Sequence, residues 1–114
     1  MLCIGTEFVL GGFYLIADPT RRAAVQARLA EGGREVIALD ARQISEFAGN
    51  ALEITGQGGQ RWLALSERAA ASLTPEQRAA IERSARLLPL HVPAIELAGG
   101  SVRCMLAGIH LARR

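Results

Sequence analysis

The sequence predicts an α/β fold made of two strand-strand-helix-strand units. Three observations carry this reading. Short runs rich in Val, Ile and Leu alternate with helical segments that open on clear capping signals. Glycine pairs and a three-glycine loop punctuate the runs. The same order of elements then occurs twice, over residues 2–39 and 51–90, although the residues of the two copies match poorly.

Residues 2–10 are β-forming, Gly11-Gly12 reads as a turn, and residues 13–17 form a second apolar run, together a hairpin. Asp18 is placed as an N-cap before Pro19, and Ala23, Ala24, Val25, Ala27 and Leu29 suit a helix that Gly32-Gly33 ends. Residues 35–39 read as a short buried strand. Asp40 with Gln43 forms a capping box for a helical segment through Ile44 and Phe47 that stops at Gly49-Asn50. Residues 51–55 and 61–66 are predicted strands around the loop Gly56-Gln57-Gly58-Gly59-Gln60. Thr74, Pro75 and Gln77 form a second capping box that opens a helix to about Arg86. Residues 87–90 are the next strand, broken by Pro93, and the chain from Ser101 to Leu111 is read as a last strand carrying Cys104. The predicted organisation is one partial domain over 1–114, with a first unit at 1–40 and a second unit plus the Cys-bearing C-terminal strand at 41–114. Two such units are too few for a closed architecture, so further units or a second copy of the chain are expected to cover the exposed faces.

With 114 residues, half of them apolar and 21% charged, the composition is that of a globular protein and not of a disordered one. All 13 basic residues are Arg, scattered along the chain at a net charge of +2, and one Trp, one Tyr and three Phe offer little to stack on bases. No nucleic-acid partner is expected. No apolar run approaches the roughly 20 residues that span a bilayer, so no membrane partner is expected either. The opening Met1-Leu2-Cys3-Ile4-Gly5-Thr6-Glu7 lacks a basic n-region and a cleavage site. With only Cys3 and Cys104, remote in sequence and without metal-type spacing, a cytoplasmic protein with reduced thiols and no metal or other cofactor is expected.

The chemistry-bearing segment is Gly99-Gly100-Ser101-Val102-Arg103-Cys104-Met105. Glycines before a cysteine let backbone approach a ligand closely and leave the thiol at an open edge. Arg103 favours a thiolate by its charge, although neighbours on a strand point to opposite faces. Taken alone, Cys104 reads either as a nucleophile or as a small buried hydrophobe, and Cys3 as core.

The run Gly99 to Ala107, together with Ile44-Ser45-Glu46-Phe47-Ala48-Gly49-Asn50-Ala51-Leu52 and Leu65-Ser66-Glu67-Arg68-Ala69, resembles the C-terminal half of the amidinotransferase-like citrulline hydrolases. These belong to the arginine deiminase and dimethylarginine hydrolase superfamily. The resemblance implies the pentein fold, a five-bladed α/β propeller of strand-strand-helix-strand units around a central site, here incomplete. It implies that Cys104 attacks the guanidino or ureido carbon of an arginine- or citrulline-like substrate. A histidine acts as general acid and base, and acidic residues clamp the substrate nitrogens. It places that histidine and those acids ahead of the position of Met1, so the chain is expected to be a C-terminal segment, inactive alone. The alternative is a non-catalytic oligomerising fragment in which Cys104 is structural.

Asn50 has two readings, a helix C-cap or a substrate-facing residue, the second suggested by the Phe-Ala-Gly-Asn motif. His110, six residues beyond Cys104, is about 20 Å away if the strand is extended, outside proton-transfer reach. His91 reads as a surface residue in a connection, and Glu67 as a solvated first-turn glutamate.

Overall fold

A computed structural model describes residues 1–109. The first unit consists of β1 (Leu2–Ile4), β2 (Phe8–Gly11), α1 (Pro19–Ala30) and β3 (Glu35–Ala38). After α2 (Ala41–Ser45) the second follows, with β4 (Leu52–Thr55), β5 (Arg61–Ser66), α3 (Glu67–Ser72), α4 (Pro75–Glu82) and β6 (Arg86–Leu90). The short α5 (Pro93–Leu97) and a 3-10 turn at Val102–Met105 complete the described chain. Each unit holds a three-stranded sheet, ordered β1-β2-β3 and β4-β5-β6. In both, the first strand pairs antiparallel with the second, and the second parallel with the third. The fold is therefore α/β, and the repeat inferred from element order is present in sheet topology. Helices lie between the parallel partners, as a crossover requires.

Capping chemistry sets the helix starts where the sequence places them. Asp18 accepts from the amides of Thr20 and Arg21 ahead of Pro19. The Asp40–Gln43 and Thr74–Gln77 boxes are both closed reciprocally. The two box glutamines also join the units. Gln43, 2% exposed, donates to the Ser72 carbonyl at 2.9 Å and to Gln77 Oε1 at 2.6 Å, while Gln77 Nε2 donates to the Ala38 carbonyl at 2.8 Å. The central strands β2 and β5 supply the fully buried Phe8, Leu10, Leu63 and Leu65, and these share one core with Ile81 of α4.

Four expectations are corrected. The hairpin turn is at Gly5-Thr6-Glu7, not Gly11-Gly12, and Phe13–Leu15 forms a 3-10 turn instead of a strand. Gly11 belongs to β2 because a Cβ there would lie 2.7 Å from the Phe13 ring, so this glycine serves packing and not reversal. The real turn is held by Glu53 of β4, whose carboxylate accepts from the Thr6 amide and hydroxyl, a contact between units that local sequence does not announce. Second, the predicted helix from Thr74 ends at Glu82, and α3 precedes it, capped by Ser66, whose hydroxyl accepts from the Ala69 amide at 3.0 Å. Third, Pro93 opens α5 at its first position rather than only breaking β6. Fourth, the C-terminal strand assigned to Cys104 is absent among the described residues. Cys104 lies in the 3-10 turn, whose amides bond three residues back, Cys104 to Ser101 at 3.0 Å and Leu106 to Arg103 at 3.2 Å. A short apolar run does not distinguish strand from helical turn by periodicity. Gly99, at φ +95°, turns the chain out of α5 before any sheet edge is reached. His110 lies outside the described residues, and the extended spacing used to separate it from Cys104 does not hold through residue 105.

Replacing Gly5 with Ala tests the true turn. A Cβ at Gly5 would lie 2.8 Å from Phe8 Cζ and 2.8 Å from Glu53 Oε2, and Phe8 is fully buried. Gly5→Ala is expected to cost about 1–3 kcal/mol in urea unfolding by overpacking. A loss below a few tenths would show that the turn yields freely.

Candidate active site around Cys104

The backbone after α2 brings Asn50 to Cys104. α2 ends at Glu46, and Phe47 takes the left-handed conformation at φ 64°, a position that usually costs a non-glycine residue of order 1 kcal/mol or more. Phe47 tolerates it because its ring packs on the core and under the Arg68 guanidinium, 5.7 Å from the ring centroid, with Arg68 in turn paired to Glu46. The turn closes through Ala48 to the Gln43 carbonyl at 2.9 Å and Asn50 to the Phe47 carbonyl at 2.8 Å. The C-cap reading of Asn50 therefore fails, because the left-handed position belongs to Phe47.

Asn50 is 6% exposed, and its Nδ2 donates to Cys104 Sγ at 3.0 Å. Its carbonyl accepts from the Arg103 amide at 3.4 Å, so side chain and backbone of one residue hold the Cys turn. Its Oδ1 is buried with no partner among the described residues. Cys104 itself is exposed. The Asn50 amide, a backbone hydrogen bond from Ser101 and then the charge of Arg103 favour its thiolate and lower its pKa, with slight burial opposing. Arg103 contributes least because its guanidinium is turned to the Leu2 carbonyl of β1.

Ser101 is fully buried, and its hydroxyl donates to Glu96 Oε1 at 2.9 Å. Neither Ser101 nor Glu96 stood out as functional in the sequence. Their pairing depends on α5, which no strong local signal announces. His91 and Glu67 pair with each other at 2.8 Å, both well exposed, at a cavity of about 290 Å³ that includes Glu96. The structure thus brings together Cys104, Asn50, Ser101 and Glu96. Among the described residues no group of three or more His, Cys, Asp or Glu is placed to hold a metal, and no helix is long and apolar enough to cross a membrane.

Cys3 is the opposite kind of thiol. It is 2% exposed in β1, and burial, with a smaller contribution from Glu53, outweighs the attraction of Arg103 and pushes it up to about 11. The folded state then keeps this thiol protonated when the unfolded chain, near its ordinary value of 9, does not. Its contribution is complete below pH 9 and is lost as pH rises toward 11, on the order of 3 kcal/mol. Denaturant melts across pH 8–11 are expected to show this slope, and Cys3→Ala to remove it. An unchanged slope in that variant would assign the alkaline loss elsewhere.

The site thus pairs an exposed cysteine with a buried amide on a repeated strand-strand-helix-strand frame. Residues 1–111 match the family described as N,N dimethylarginine dimethylhydrolase, eukaryotic. No curated protein and no solved structure matches. The match covers almost the whole chain, and the protein therefore belongs to the dimethylarginine dimethylhydrolase family, within the guanidino-modifying hydrolases.

Proposed function

We propose that Cys104 is the nucleophile of a guanidino-group hydrolase acting on N,N-dimethylarginine or a closely related arginine derivative. The observation that carries this is the exposed Cys104 thiol facing the buried Asn50 amide at 3.0 Å in a chain of this family. A thiol kept for packing would be buried and pushed up, as Cys3 is; Cys104 is neither. That contrast favours the nucleophile over the reading of a non-catalytic oligomerising module with a structural cysteine.

In the proposed reaction the Cys104 thiolate adds to the guanidinium carbon and forms a C–S bond. The C–N bond to the dimethylamino group breaks as its nitrogen receives a proton, leaving an S-alkylthiouronium and free dimethylamine. Water adds to the same carbon and gives up its protons, and the C–S bond breaks, returning the thiolate and leaving a ureido group. Asn50 Nδ2 holds Sγ in its anionic form before attack. The acid that protonates the amine, the base that activates water and the carboxylates that clamp the substrate are assigned to parts of the propeller outside residues 1–114, in the same polypeptide or in another chain. The two units here are then two blades of a pentein propeller, and the single partial domain gains its missing contacts from the others.

The test is reconstitution. The chain mixed with a polypeptide carrying the N-terminal blades of a family member is expected to release dimethylamine from N,N-dimethylarginine, to lose this in Cys104→Ser and to keep it in Cys3→Ser. Turnover that survives Cys104→Ser, or turnover by the chain alone, would contradict the proposal.

A further inference from the structure

We infer that Glu96 is a positioning residue for Cys104, acting through Ser101. The inference rests on the reading of Cys104 as the nucleophile. Glu96 is 9% exposed although it carries a carboxylate, and Ser101 is fully buried although it carries a hydroxyl. Polar groups are removed from water in this way at a cost unless they are paired, and these two pair with each other at 2.9 Å. The bond spans the point where the chain leaves α5 through Gly99 at φ +95° and enters the 3-10 turn. That connection is too short to hold its own shape by packing, because Leu97 is 91% exposed and residues 98–100 offer only Ala and Gly side chains.

Ser101 is tied to Cys104 by its carbonyl, which accepts the Cys104 amide at 3.0 Å, and its own backbone amide lies on the side of the thiol where it favours the thiolate. A shift of Ser101 therefore moves Sγ relative to Asn50 Nδ2, the donor on the other side. Glu96 also borders the cavity that holds Glu67, Arg68 and His91, and the Arg68 cation is attracted to it. The Glu96 carboxylate thus meets Ser101 through a direct hydrogen bond, while Arg68, paired to Glu46, acts on it only by charge. Glu96 is not itself placed against the reacting sulfur.

The test uses the full chain and the rate at which iodoacetamide modifies Cys104, followed across pH by mass spectrometry. Glu96→Gln keeps an acceptor for the Ser101 hydroxyl and is expected to stay within about threefold of the parent. Glu96→Ala is expected to slow Cys104 by about tenfold at pH 7 and to move its pH profile upward by about one unit, since each unit changes the thiolate fraction about tenfold. Ser101→Ala deletes the same bond by a single oxygen and is expected to reproduce that shift, which keeps the test valid should Glu96→Ala unfold. Cys3 reports folding in the same sample, because it reacts only when the core opens. Parent-like profiles in Ser101→Ala and in folded Glu96→Ala would overturn the inference. A parent protein in which Cys104 already titrates as an ordinary thiol would instead overturn the nucleophile reading, and the two failures are distinguishable.

Discussion

Asn50→Asp is expected to slow alkylation of Cys104 at pH 7 by about tenfold or more and to move its pH midpoint upward. The substitution changes an amide to a carboxylate without changing shape. The Nδ2 donor 3.0 Å from Sγ is replaced by an oxygen that repels a thiolate. Asn50→Ala removes the donor without adding charge and is expected to fall between the parent and Asn50→Asp. Its stability should be close to that of the parent or slightly higher. The native amide leaves Oδ1 buried and without a partner among the described residues, a cost of about 1–3 kcal/mol that alanine does not incur. A residue kept at a cost to stability and needed for thiol reactivity is a mark of function. Asn50→Asp with parent-like reactivity would show that the amide does not act on the sulfur.

Phe8→Ala is expected to cost about 3–5 kcal/mol, the largest loss of stability of any single change considered. Phe8 is fully buried at the start of β2, and its ring fills the space beside Gly5. Because domains of this kind are stable by only about 5–15 kcal/mol, the variant should be partly unfolded without denaturant. Urea melts read by circular dichroism check this, and a loss under 1 kcal/mol would mean that the shared core is not centred on β2. The same variant should expose Cys3 to alkylation, since that thiol belongs to the same core.

How much of this was legible in the sequence depends on whether the deciding contact is local. The starts of α1, α2 and α4 were readable because Asp18, Asp40 with Gln43, and Thr74 with Gln77 act within one turn of themselves. The repeat was readable because the order of short apolar runs and capped helices survives when residues do not. The first hairpin was misplaced because Gly11-Gly12 carries the stronger turn signal, while the real turn at Thr6 is held by Glu53, 47 residues away. The strand expected at Cys104 is missing for a related reason, since residues 101–109 have no partner strand among the described residues and Arg103 bonds instead to the Asn50 carbonyl.

At the site, Cys104 and Asn50 each stand out within a motif of their own, and the resemblance of those motifs points to their function. That the two side chains touch across 54 residues was not readable. Nor was the path from Glu96 through Ser101, because α5 is only five residues long and a carboxylate inside it reads as a solvated one.

The central claim is that the protein holds one thiol as a ready thiolate and hides the other. Alkylating both cysteines of the native chain in one sample, across pH 5–11, tests it most directly. Cys104 is expected to react with a midpoint below the ordinary thiol value near 9, and Cys3 to stay protected until alkaline pH opens the core. A Cys104 midpoint at or above 9, or equal rates for the two thiols, would contradict it.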